Sequence, residues 1–108
     1  TFEHDSADIS KMQSTLRDLC ARISNRLKLA DLAGKTVTLK LKTEHFVLLT
    51  RTTTCLHHIQ KENLIYETAL QLLKNELDGN TKYRLIGVGI SKLSPISEAG
   101  PPRMLIEL

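Results

Sequence analysis

The chain has 108 residues, 41% of them hydrophobic and 25% charged, and a formal net charge of +3. That length fits one domain with one core, and the balance is that of a folded globular protein. No apolar run approaches the roughly 20 residues of a membrane span, and no secretory signal is visible. Two cysteines, Cys20 and Cys55, are too few for a disulfide framework, which points to a reducing, intracellular setting. The sequence opens at Thr1 without Met, as expected of a piece of a longer or processed protein.

Taken in chain order, Asp5 or Ser6 offers an N-cap. Ile9, Met12, Leu16, Leu19, Cys20, Ile23 and Leu27 then recur at three- and four-residue steps, the stripe of an amphipathic helix that Gly34 would stop. From Lys35 the period becomes two. Val37, Leu39 and Leu41 face one way, and Thr36, Thr38, Lys40 and Lys42 the other. A tight link at Thr43-Glu44-His45 predicts an antiparallel hairpin. With Phe46 and Leu48 in the core, Val47, Leu49 and Arg51 fall on the open face. Residues 52–58 lack a period and read as strand end plus loop. A second helix spans about residues 61–77, with Ile65, Ala69, Leu72, Leu73 and Leu77 on one side and Gly79 as its stop. Residues 83–93 form the last strand, with Ile86, Val88 and Ile90 inward and Leu85, Gly87, Gly89 and Ser91 outward. Pro95, Gly100, Pro101 and Pro102 then mark a linker.

Three strands and two helices give a two-layer α+β sandwich. Thr1-Phe2-Glu3 reads as the end of a truncated first strand. Counting it gives β-α-β-β-α-β, a four-stranded antiparallel sheet with both helices on one face. The domain would run over residues 1–93 and the tail over 94–108.

Charge singles out the strands. Residues 35–53 hold four basic residues and one acid, Glu44, and residues 81–92 hold three basic residues and no acid. Each block is +3, so the remainder is −3. The expectation is a cationic sheet face backed by neutral-to-acidic helices, an arrangement suited to a polyanion. On that face stand Lys35, Lys40, Lys42 and Arg51, with Thr36, Thr38, Thr52 and Thr53 as hydroxyl donors. Alternate strand residues lie about 7 Å apart, close to the spacing of phosphates along one DNA strand. The plainer reading is a solvated sheet face, where Lys and Thr are ordinary. Gly87 and Gly89 tip the balance, because glycine within a strand often marks close approach by another backbone; a bulge or bend is the alternative. Arg84, at the strand start, reaches round the edge or pairs with a helix acid.

Other chemistries find little footing. Single-strand binders need exposed aromatics for stacking, and of two Phe and two Tyr only Tyr83 has open-face parity. Cys55, His57 and His58, with His45 or His4, match no strong zinc spacing. No strand carries paired carboxylates for two-metal chemistry, and no glycine loop cradles a phosphate. No catalytic residue and no cofactor is assigned.

Three stretches carry a resemblance: Leu32-Ala-Gly-Lys-Thr-Val-Thr-Leu-Lys-Leu-Lys42, Leu49-Thr-Arg-Thr-Thr-Thr54 and Arg84-Leu-Ile-Gly-Val-Gly-Ile-Ser91. In this order and spacing they resemble the little-finger domain of Y-family DNA polymerases, nearest in look to the bacterial polymerase IV and eukaryotic polymerase kappa branches. The resemblance covers Thr1 to about Leu93. It implies an accessory domain that lays its open sheet in the major groove of primer–template duplex during translesion synthesis. It implies DNA contact at Lys35, along residues 51–54 and at Arg84 and Leu85. Some relatives carry basic residues where this chain has Leu85 and Gly89, which implies main-chain contact there. The parent would be a DNA-directed DNA polymerase with its carboxylates and magnesium elsewhere. A sliding clamp would be a partner through the parent, since residues 103–108 show no clamp-binding peptide. The expected setting is bacterial cytoplasm or a nucleus, with no membrane contact and a monomeric chain. The DNA-binding residues expected are thus Lys35, Thr38, Lys40, Arg51, Thr52, Thr53, Arg84, Leu85, Gly87 and Gly89. The rival is an α+β protein-interaction or ligand-sensing module using the open face as an oligomer interface. Such interfaces are depleted in lysine.

Overall fold

In the computed structural model, described over residues 9–78 and 80–96, helix α1 (Ile9–Ala30) leads into strand β1 (Leu32–Thr43). Strand β2 (Leu48–Ile59), helix α2 (Glu62–Glu76), strand β3 (Tyr83–Ser91) and a two-residue strand β4 (Ser94–Pro95) follow. The proposed cap at Asp5 or Ser6, the strand at Thr1-Phe2-Glu3 and the stop at Gly79 lie outside the described residues. α1 buries Met12, Leu16, Cys20, Ser24 and Leu27 along one stripe. It ends before Gly34: Asp31 takes a left-handed φ of 56°, and its N–H donates to Lys28 O at 3.2 Å. Aspartate tolerates that conformation, so the helix stops three residues earlier than glycine would place it.

β1 is the centre of the sheet, in the order β2-β1-β3, with both neighbours antiparallel. Val37, Leu39 and Leu41 are buried beneath the helices with Ile86 of β3 and Ile65, Ala69 and Leu73 of α2. This is the two-layer α+β sandwich expected. Four strands are present among the described residues, and the fourth is β4, which pairs Ser94 with Ala33 and Pro95 with Leu32. Ile96 N–H adds a bond to Asp31 O at 2.8 Å, so ordered pairing continues past Leu93.

Two expectations about faces are reversed. The hairpin closes one residue later than the sequence suggests. Phe46 N–H donates to Thr43 O and Thr43 N–H to Val47 O, leaving Phe46 as a left-handed turn residue with φ 65°. Leu49, Arg51 and Thr53 therefore pair with Leu41, Leu39 and Val37 on the helix side, and Leu48 turns outward. A one-residue slip moves every side chain to the other face. At the other end of the sheet, Lys42 pairs with Leu85 but Thr43 with Tyr83, so Arg84 is the extra residue of a bulge. Tyr83 consequently lies buried under α2, its hydroxyl donating to Glu76 O at 3.4 Å. Residues 52–58 are strand, not loop. Their missing period reflects a register shift, because Thr36 pairs with Thr54 and Gly34 with Ile59.

The charge division also needs correcting. α1 carries Lys11, Arg17, Arg22, Arg26 and Lys28 against Asp18 alone. The surplus of acid outside the strand blocks comes from α2, the loops and the chain ends rather than from both helices.

Candidate nucleic-acid interface

Alternation along β1 fixes which residues share the face away from the helices, and the register fixes their neighbours. Four rows cross it: Thr54–Thr36–Ser91, Thr52–Thr38–Gly89, Thr50–Lys40–Gly87 and Leu48–Lys42–Leu85. Threonine hydroxyls link the first two rows, Thr36 to Thr54 at 3.2 Å and Thr38 to Thr52 at 3.5 Å. Leu48, Thr50, Thr52 and Thr54 are exposed, as are Lys40, Gly89 and Ser91. β1, β2 and β3 contain five basic residues and no acid.

The glycines differ in what they do. A Cβ on Gly34 would come within 2.5 Å of Ile90 Cγ1, so that glycine is required by packing. A Cβ on Gly87 would meet Lys40 Cβ at an ordinary 3.8 Å, and one on Gly89 would meet nothing within 4 Å. Neither has the left-handed φ that would demand glycine. Folding alone does not explain the bare lane on β3.

Of the residues expected at the site, Thr38, Lys40, Thr52, Leu85, Gly87 and Gly89 come together on this face. Lys35 sits half-buried at the register shift between Gly34 and Thr36. Arg51 and Thr53 belong to the opposite face. Arg51 Nε donates to Glu76 Oε2 at 2.9 Å, an ion pair at the sheet margin that ties β2 to α2. Arg84, expected to reach round the edge or meet a helix acid, does neither of these simply. Its guanidinium lies over the Phe46 ring, 4.0 Å from the centroid, and no ion pair to it occurs among the described residues. Sequence reasoning missed Phe46 and Thr50, and reached Thr54 only through the stretch 51–54 that the resemblance marks. The alternation of Thr50, Thr52 and Thr54 would have revealed Thr50 had the turn been closed after Phe46.

Among the described residues no three His, Cys, Asp or Glu side chains gather where they could hold a metal ion. No described helix is long and apolar enough to cross a membrane. The perturbed groups lie off the face. Burial pushes the Cys20 thiol up to about 11. The Asp78 carboxylate is held down at about 2, first by the Thr81 backbone N–H, then by the Thr81 hydroxyl and the Asn80 N–H. Both are structural. Burial also raises the Tyr83 hydroxyl.

Among the described residues, a broad lysine- and threonine-lined sheet face lies opposite the two helices, an architecture of the two-layer α+β class. Residues 1–103 match the impB/mucB/samB family C-terminal domain, and the chain belongs to that family. It is 42% identical over 105 residues to DNA polymerase IV of Brucella melitensis biotype 1, across 97% of this chain and 23% of that protein. To DNA polymerase IV 1 of Mesorhizobium japonicum it is 41% identical, across 97% of this chain and 24% of that protein. The chain thus spans about a quarter of the length of these relatives. Among solved structures, the little finger domain of PolIV in complex with the beta-clamp processivity factor shares the fold. The TM-score is 0.69 at 21% identity, covering 88% of this chain and 85% of that one. The resemblance carried by the three sequence stretches is borne out.

Proposed function

We propose that this chain is the duplex-holding accessory domain of a translesion DNA polymerase and has no chemistry of its own. The observation that carries the reading is the open face, where lysines and hydroxyls flank two glycines that packing does not require. A phosphate chain could lie along that lane in contact with main chain, while Lys40 and Lys42 supply charge and Thr38, Thr50 and Thr52 donate hydroxyl hydrogen bonds. Such contacts position a duplex and carry no sequence information. The lysine-rich face is unlike the core of a protein–protein interface. In the parent, the polymerase carboxylates and their magnesium would lie in the segment this chain lacks. A sliding clamp would be a partner of the parent, as it is for the PolIV little finger solved in complex with it.

Because α1 is also basic, the decisive test compares the two faces. Lys40→Glu with Lys42→Glu reverses the open face; Arg22→Glu with Arg26→Glu makes the same charge change on exposed α1 positions. Binding of a labelled primer–template should collapse for the first pair and fall only modestly for the second. The opposite ranking would place DNA on the helices and overturn the reading.

A further inference from the structure

We propose that Phe46 is a positioning residue whose ring holds the Arg84 guanidinium at the hairpin end of the open face, set to meet a phosphate of bound duplex. This rests on the duplex-holding reading above and adds a residue to it.

Both partners are fixed by backbone. The turn that presents Phe46 is closed by Phe46 N–H to Thr43 O at 3.0 Å and Thr43 N–H to Val47 O at 2.9 Å. The Thr43 hydroxyl, itself nearly buried, accepts further bonds from His45 N–H and Val47 N–H. Phe46 takes the left-handed conformation that such three-residue turns usually give to glycine, at φ 65°. A phenylalanine there is costly, and burial does not compensate, since the residue is 65% exposed. Its ring contact is with Arg84. On the other strand, the bulge turns Tyr83 into the core and leaves Arg84 without a partner on β1. Glu44 N–H donates to Lys82 O at 3.0 Å and ties the turn to the start of β3.

Arg17 provides the contrast. It also lies over an aromatic ring, 3.8 Å from the Tyr66 centroid, but it bonds Asn63 and pairs with Glu62. Its charge is used within the fold. Among the described residues no carboxylate answers Arg84, and a guanidinium stacked by its face keeps its N–H edges free for a bidentate phosphate contact. The adjoining row holds Lys42, so the pair extends the cationic face to its end.

The test uses this chain with a labelled primer–template duplex, comparing wild type, Phe46→Leu, Phe46→Tyr, Arg84→Ala and the Phe46→Leu/Arg84→Ala double variant. Loss of an exposed cation–π contact should weaken binding about two- to fivefold in Phe46→Leu. Phe46→Tyr should bind like wild type, and the double variant should bind no worse than Arg84→Ala alone. In the DNA-free chain, NMR should show the Arg84 side-chain methylene protons shifted upfield by the ring, and Phe46→Leu should abolish that shift while the remaining spectrum stays folded. Absence of the shift in wild type, full binding by Phe46→Leu, or additive losses in the double variant would overturn the positioning role and leave duplex holding intact. A wild-type chain that ignores duplex would overturn duplex holding and this role with it.

Discussion

Gly89→Val separates folding from binding, because the two should move in opposite directions. A Cβ at position 89 enters open space and the backbone there is compatible with any L-residue. Glycine within a strand costs about 0.5–1 kcal/mol relative to alanine, and β-branched residues suit strands better still. The variant should therefore be about 0.5–1 kcal/mol more stable, an increase in melting temperature of roughly 2–8 °C for a domain of this size. In the complex, the same isopropyl group stands in the lane beside Thr38 and keeps a phosphate from the main chain. Loss of one hydrogen bond to a charged group is worth about 1.5–3 kcal/mol, a weakening of about ten- to a hundredfold. Thermal unfolding and fluorescence anisotropy with primer–template duplex read the two effects on one preparation. Gly34→Ala is the structural control: its Cβ would lie 2.5 Å from Ile90 Cγ1, so it should destabilise by about 1–3 kcal/mol through overpacking. If Gly89→Val binds as tightly as wild type, the lane is not where DNA lies. If it is destabilised, the glycine serves the strand and the reasoning fails.

The remaining expectations concern charge and titration. Arg51→Ala removes a partly exposed ion pair with Glu76, so urea unfolding should show a loss of about 1 kcal/mol. Its duplex affinity should stay above that of Lys40→Ala, which should weaken all sequences alike; equal losses would mean that the Arg51 side chain reaches round to the open face. The Cys20 thiol ionises near 9 when unfolded but only at about 11 when folded. Its contribution to stability is complete below pH 9 and disappears between 9 and 11, so the melting temperature should fall there, less steeply in Cys20→Ala. Tyr83, shifted in the same direction by burial, should leave part of the slope in that variant. Asp78 titrates at about 2 when folded against an ordinary 3.8. Its contribution is present above pH 3.8 and lost as pH falls towards 2, a decline that Asp78→Asn should blunt in an acid melt.

What the sequence made legible, and what it hid, follows from where periodicity was unambiguous. β1 alternates polar and apolar residues from Thr36 to Lys42, and the register keeps each on the face assigned to it, although Thr36 is itself buried beside Thr54. Ile86, Val88 and Ile90 against Leu85, Gly87 and Gly89 were equally clear, because only the first set puts a large apolar side chain at every alternate position. Four consecutive apolar residues, Phe46, Val47, Leu48 and Leu49, run through the turn into β2, so hydrophobicity alone allows either phase. The turn decides between them, and a phenylalanine in a left-handed position gives no warning of itself. Arg51 and Thr53 were assigned to the wrong face for that reason. Tyr83 was misread because a one-residue bulge at Arg84 is invisible to a period-two count; burial of its ring under α2 selects the bulged pairing. The acidic remainder was real, but a net sum does not say which element carries it, and α1 proved basic.

Salt dependence tests the central claim most directly. Binding of this chain to two primer–template duplexes of unrelated sequence should weaken equally as salt rises. Three phosphates neutralised by Lys40, Lys42 and Arg84 give a log–log slope of about −3. A flat response, or affinities that follow sequence more than salt, would contradict a face that grips the backbone.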